Sequence, residues 1–189
     1  MKKICMVLMA AILPMMAWSQ RFHEGALTLQ PKAGIIASNM WGDDADFYYI
    51  YIAGLMTGVE MEYGLTDMLG LSGGLQFNML GACSDINDDT WRLNYISMPM
   101  LFNVHLAQGR LALKSGIEPA ANVFSKVEGV KVKRTRDFDM MVPMGVSYTF
   151  DNGLTLDARY RMGFLKVLKH SDVYNMDFSF TLGYKFSLR

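Results

Sequence analysis

Three histidines and several clusters of acid are the residues best equipped for chemistry: His23, His105 and His170, with Asp43, Asp44 and Asp46, and the run Asp85-Ile86-Asn87-Asp88-Asp89. A hydrolase acting on lipid would need a nucleophile, a base and an orienting group within mutual reach. His170 has Ser171 and Asp172 beside it, but neighbours along a chain do not make a triad. His23 precedes the patterned part of the chain, and His105 falls near one end of a strand, facing inward. No catalytic residue is assigned, and the chain is read as no enzyme. The run from Asp85 opens like a calcium loop, yet that pattern needs Gly at its sixth position and Glu at its twelfth. Thr90 and Ile96 stand there, so no metal or other cofactor is expected.

Other charges recur at every second position. Lys32, Lys114, Arg159, Arg161 and Lys185 are positive, and Glu60, Glu62, Glu118, Asp139, Asp157 and Asp177 negative. Each alternates with apolar neighbours, and a period of two is the signature of a β-strand. Two stretches near the C-terminus show it best. Leu154, Leu156, Ala158, Tyr160, Met162 and Phe164 interleave with Thr155, Asp157, Arg159, Arg161 and Gly163; Tyr174 to Leu188 repeats the pattern. Runs of about ten residues exceed the usual soluble strand and suit a tilted membrane-crossing one.

The same alternation recurs from Leu27, Tyr51, Leu69, Leu111 and Phe138. Between Trp91 and Leu106, Met98-Pro99-Met100 blurs the phase, and Ile96, Met98, Met100, Phe102, Val104 and Leu106 are set outward. The total is eight strands, an even number as single-chain outer-membrane barrels have. Gly64-Leu65-Thr66-Asp67, Ala107-Gln108-Gly109 and Asp151-Asn152-Gly153 read as tight turns. Longer connections, about 39–50, 81–90, 124–135 and 165–173, alternate with them, as external loops alternate with periplasmic turns. Pro31, Pro99, Pro119 and Pro143 fall inside strands and should each mark a bulge or break.

Residues 1–19 have the form of a cleaved signal peptide: Lys2 and Lys3, an apolar stretch from Ile4 to Met16, and Ala17-Trp18-Ser19 before Gln20. Residues 20–189 form one domain. Eighteen basic and eighteen acidic side chains give no case for a nucleic-acid partner. Cys83, alone after residue 19, has no partner for an intramolecular disulfide.

The fold class expected is all-β, an eight-stranded antiparallel up-and-down transmembrane barrel. A lipocalin-like soluble carrier would carry its apolar faces inside. Two features favour the inverse. The polar faces mix both charge signs with glycines, which suits a narrow lumen of paired charges. The apolar faces end in aromatics at both heights, Tyr63, Tyr148, Phe150, Tyr184 and Phe186 at the turn end, Tyr51, Trp91, Phe138, Phe164 and Tyr174 at the loop end. A barrel of eight strands holds only side chains in its interior, so the lumen is expected to be a plug and not a pore.

Four segments resemble the PorT-like outer-membrane β-barrel proteins: Lys32-Ala33-Gly34, Leu93-Asn94-Tyr95-Ile96-Ser97-Met98-Pro99, Leu156-Asp157-Ala158-Arg159-Tyr160 and Phe180-Thr181-Leu182-Gly183-Tyr184-Lys185-Phe186. The resemblance spans nearly all of the chain after residue 19. It implies the barrel fold, an outer-membrane address and recognition of the closing strand by barrel-insertion machinery. The chain ends in Leu188-Arg189 where many such proteins end in an aromatic. One family member is linked to protein secretion, an activity not carried over to this chain.

Outer-membrane lipid and lipopolysaccharide are the expected partners, with a protein partner at the outer loops. Trp41, Tyr48 and Tyr49 make the first loop the candidate for protein recognition. Lys131, Lys133 and Arg134, with Lys126 and Arg136, make the third basic and able to meet lipopolysaccharide phosphates. A structural or interaction role carried by these loops is the reading that results, with a lipid-modifying barrel enzyme or a soluble carrier as alternatives.

Overall fold

Alternation of side chains forces two distinct faces on every strand, and the computed structural model closes those faces into an inside and an outside. It describes residues 22–42, 49–84, 90–127, 130–131, 137–166 and 172–188. The segments are β1 (Leu27–Trp41), β2 (Tyr49–Gly64), β3 (Leu69–Ser84), β4 (Thr90–Ser97), β5 (Met100–Leu106), β6 (Leu111–Val127), β7 (Val130–Lys131), β8 (Phe138–Thr149), β9 (Leu154–Gly163), β10 (Tyr174–Tyr184) and β11 (Phe186–Ser187). β4 and β5 are one strand interrupted at Met98-Pro99, β11 continues β10, and β7 folds back on the end of β6. Eight antiparallel strands remain, each paired with its sequence neighbours. β1 pairs with β10 from Lys32↔Gly183 to Trp41↔Tyr174, and that seam closes the barrel.

The inner and outer faces invert the order of a soluble protein. Ile35, Leu55 and Leu75 are 63%, 61% and 60% exposed, while Arg159 and Arg161 are 1% and 0%. A continuous apolar exterior around buried charge is the pattern of a membrane barrel. The outward set proposed for the blurred strand holds: Ile96, Met98, Met100, Phe102 and Leu106 are exposed and Val104 half-buried.

The inner face differs from expectation toward the loop end. Ile36, Met40, Met56, Leu80, Leu93, Tyr95, Ala120, Met141 and Val173 form a buried apolar cluster there. Ile36 and Met56 hold inward parity, but sit in stretches where both phases are apolar, so alternation alone does not mark them.

Prolines interrupt ladders without shifting them. β1 pairs with β11 at Thr28↔Ser187 and Leu29↔Phe186, lapses at Pro31, and resumes with β10 in the same register at Lys32↔Gly183. Opposite Pro143 the β6–β8 ladder lapses between Ser115↔Met144 and Glu118↔Met141, again unshifted. Pro99 splits β4 from β5, while Pro119 stays paired with Met140. The register shifts lie elsewhere, between Tyr51 and Met56 against β3 and at Asn94/Tyr95 against β6. The expectation of a bulge or break at each proline is met by breaks at Pro31, Pro99 and Pro143 and by a bulge at none, while Pro119 keeps its place in the ladder with β8: a proline removes an N–H without adding a residue to the strand.

At the turn end, Thr66 Oγ1 accepts from the Met68 and Leu69 N–H groups at 3.2 and 3.0 Å. Ala107, Gln108 and Gly109 all take positive φ, and Gly153 does likewise. At the loop end the strands outrun the sequence estimate. β1 reaches Trp41, β3 Ser84 and β6 Val127. Beyond the lipid band pairing continues, but nothing selects apolar against polar, so the alternation fades before the strand does.

A lipid-facing Arg costs about 2–4 kcal/mol at the bilayer midplane. Leu182 faces outward and Thr181 beside it is buried inside. Leu182→Arg should therefore sharply reduce the folded fraction recovered from membranes, while Thr181→Ser leaves it unchanged. Equal recovery of the two variants would contradict the orientation of the sheet.

Candidate functional site: the packed lumen and its two ends

Inward parity places Glu60 at the centre of the barrel on β2, and its carboxylate is ringed by three cations. Lys32 Nζ is 2.7 Å from Oε2, Lys114 Nζ 2.6 Å from Oε1 and Arg159 Nη2 2.6 Å from Oε2. Arg159 also grips Asp157 through Nε at 2.6 Å, and Lys114 lies 3.7 Å from the same carboxylate. Arg161 joins Glu118 at 2.7 Å and Asp177 at 2.8 Å. Toward the turn end, Glu62 takes Lys185 at 2.9 Å, His105 Nε2 at 2.6 Å and the Asn103 amide at 2.6 Å. The structure thus brings ten of the eleven lumen candidates into ion pairs.

Asp139 stands apart. Its Oδ2 accepts from Asn175 Nδ2 at 2.7 Å and its Oδ1 from the Met140 N–H at 2.8 Å. Among the described residues it has no ion pair. Asn175 also reaches the Tyr95 hydroxyl at 3.2 Å, which ties this polar group to the edge of the apolar cluster.

Phe22 was not singled out from sequence. The residues before β1 turn back over the turn-end mouth, and the Phe22 ring stacks on His105 with centroids 3.5 Å apart and planes 15° from parallel. Gly109 permits this approach, since a Cβ there would lie 2.9 Å from Phe22 Cβ. His105 accordingly sits between a carboxylate and an aromatic lid, a packed position and not an open catalytic one. Nothing in the sequence separates Phe22 from any other aromatic ahead of a strand. His170 lies outside the described residues, as do Asp43, Asp44, Asp46 and Asp85 to Asp89.

The loop-end candidates divide. Trp41 is the last residue of β1, not part of the first loop, and its ring packs on Tyr174 with centroids 5.1 Å apart. Cross-strand pairing places it there, since Trp41 and Tyr174 are register partners. Tyr49 begins β2 and Lys131 ends β7. Tyr48, Lys133 and Arg134 lie outside the described residues. A trough of about 800 Å³ opens on the outer wall over Pro31, Ala33 and Thr57, where small side chains stand between Phe77 and Leu182. Thr57 Oγ1 donates to the Lys32 carbonyl at 3.4 Å, which leaves an apolar surface for acyl chains.

A closed barrel with an apolar exterior, buried inner charges and aromatic rims defines an integral outer-membrane β-barrel protein. Residues 5–186 match the model of the outer membrane protein beta-barrel domain, and the chain belongs to that family. Among solved structures it is similar to the Neisserial surface protein A (18% identity, covering 86% of this chain and 100% of that one, TM-score 0.60). It is also similar to Ail of Yersinia pestis, in complex with the heparin analogue sucrose octasulfate (15%, 86% and 99%, TM-score 0.58). A third likeness is to OprG of Pseudomonas aeruginosa (9%, 87% and 98%, TM-score 0.53). At these identities the likeness is one of fold. No curated protein matches the chain.

Removing one partner of a buried ion pair costs about 3–5 kcal/mol, because the other charge is left uncompensated. Glu60→Gln should lower the urea midpoint of the folded barrel in detergent well below that of Asp139→Asn, whose carboxylate has no cation to strand. Similar midpoints for the two variants would show that the central pairs contribute nothing of that size.

Proposed function

We propose that this chain is a non-conducting outer-membrane barrel, with its work done by the outer rim and loops through contact with lipopolysaccharide or a protein partner. The observation that supports this is the packing of the inner face. Four layers succeed one another along the axis: Phe22 on His105, the Glu62 and Glu60 ion pairs, the Arg161 pairs, and the apolar cluster around Tyr95 and Met141. A lumen filled in this way carries no solute path, and an eight-stranded barrel has little width to spare.

The basic third loop, with Lys131, Lys133 and Arg134, suits an anionic sugar surface. That Ail holds a sulfated sugar is in keeping with such a role for a barrel of this shape. Trp41 at the end of β1 and Tyr49 at the start of β2, with Tyr48 next to it in the sequence, are the residue types that a protein partner at this end would recognise. Segments such as Lys32-Ala33-Gly34 and Leu156-Asp157-Ala158-Arg159-Tyr160 support a place within the narrower PorT-like group, and cleavage before Gln20 would leave Phe22 close to the mature amino terminus.

Two measurements test the reading together. Protein from the outer-membrane fraction should migrate differently in SDS gels with and without boiling, as a resistant closed barrel does. Reconstituted into planar bilayers, it should give no stepwise conductance. Discrete channels in the heat-shifted protein would overturn the closed lumen, and recovery of the protein from the soluble periplasm would restore the carrier reading.

A further inference from the structure

Around the loop-end rim, one outward-facing cleft has chemistry that a simple aromatic girdle does not need. It has a volume of about 340 Å³ and is lined by Trp41, Gly42, Gly163, Phe164, Asp172 and Tyr174. That is at the small end of the range for ligand pockets, about 300–1,000 Å³. Its three rings come from three neighbouring strand ends. Trp41 closes β1, Tyr174 opens β10 directly opposite, and Phe164 follows β9, held in line by its N–H donating to the Met140 carbonyl at 2.9 Å. Phe164 is 55% exposed on the lipid side. Gly42, at φ +139°, brings the backbone so near the Asp172 carbonyl that any side chain would strike it.

Two polar features break the apolar lining. The buried Trp41 Nε1–H has no hydrogen-bond acceptor among the described residues. Asp172 forms an ion pair with Lys166 at the rim, where both side chains remain partly exposed. An acyl chain would need neither feature. A protein segment would need a wider surface than this cleft gives. A sugar ring needs both: its C–H faces lie on aromatic rings, and its hydroxyls require donors and acceptors at the edge. The three rings of the cleft stand at outward-facing positions on the loop ends of their strands, the zone in which interfacial aromatics of a membrane barrel meet lipid headgroups.

We infer that Trp41, Phe164 and Tyr174, with the Lys166–Asp172 pair, form a binding site for the phosphorylated sugar headgroup of an outer-leaflet glycolipid. The indole N–H and the Asp172 carboxylate meet the hydroxyls, and Lys166 is placed to meet a phosphate. This rests on the outer-rim reading above and narrows it, moving the glycolipid contact from the basic third loop to a defined cleft.

The test is titration of the full chain, folded in detergent micelles, with lipid A and separately with phosphatidylglycerol of the same acyl length. The readout is the indole N–H resonance of Trp41, assigned by its loss in Trp41→Phe. The site predicts a saturable downfield shift with lipid A only, and an affinity about tenfold weaker in Phe164→Ala or Tyr174→Ala, the scale of one stacking contact. No shift, an equal shift with phosphatidylglycerol, or full affinity in the double variant Phe164→Ala with Tyr174→Ala would overturn it. Binding kept in that double variant but lost on changing Lys131, Lys133 and Arg134 to Ala would also overturn the cleft, while leaving the outer-loop reading intact. Unboiled gel mobility of each variant shows independently whether the barrel itself has formed.

Discussion

Closure is the constraint on which the rest of this structure depends. Once β1 hydrogen-bonds to β10, the sheet has no edge, and the enclosed volume is set by eight strands. Charges that point inward must then find their partners inside the barrel. That is why Glu60 has three cations around it and Arg161 two carboxylates. Glycines on the same rows make the room. At Gly145 an added Cβ would approach the Arg159 side chain to 2.7 Å, so the large guanidinium and the missing side chain are complementary. Such pairs are weak evidence for stability against an apolar filling of equal volume, and several of them, Arg159 to Glu60 and Arg161 to Glu118 among them, join strands that are not neighbours in the sheet.

The lumen is also graded along its axis. The turn-end half holds Lys32, Lys114, Glu60, Glu62, His105 and Lys185, and the loop-end half holds Ile36, Met56, Leu93 and Met141. A gradation of this kind removes the need to match charges along the whole length, because apolar residues fill space without requiring a partner. Asp139 and Asn175 sit at the border, where one carboxylate is satisfied by an amide and a backbone N–H in place of a cation. The outer wall is graded differently, apolar along its middle with aromatic pairs at the two ends, Tyr148 with Phe150 and Tyr184 with Phe186 at the turn end and Trp41 with Tyr174 at the loop end.

Period two makes the fold legible in the sequence itself. Strand number, the direction of each face and the inward charges all follow from parity, because a one-residue slip would turn the whole set inside out. The Met98-Pro99 strand was readable for the same reason, once position and not residue type was followed. What parity does not encode is distance around the barrel. Arg159 and Glu60 are 99 residues apart, and only the curvature of the closed sheet brings Nη2 and Oε2 to 2.6 Å. Phe22 was hidden for a different reason: it acts through a reversal of the chain ahead of β1, where no period exists to be read. Strand ends failed where pairing continues past the lipid, as it does to Ser84 and Val127.

These limits bear directly on where function is to be sought. Residues that answer to closure are committed to one another, and the Glu60 carboxylate, held by three cations and the Ser72 hydroxyl, has its acceptor sites filled from within the barrel. Freedom to recognise something begins where the closure rule stops, at the strand ends that project from the packed barrel. Trp41 and Tyr174 lie at that boundary. They remain in register, so their positions are as firmly set as those of the inner charges, yet they face away from the lumen and are not required to fill it. A site built there has the rigidity of the sheet and the accessibility of a loop, a combination that neither the lumen nor the connections alone possess.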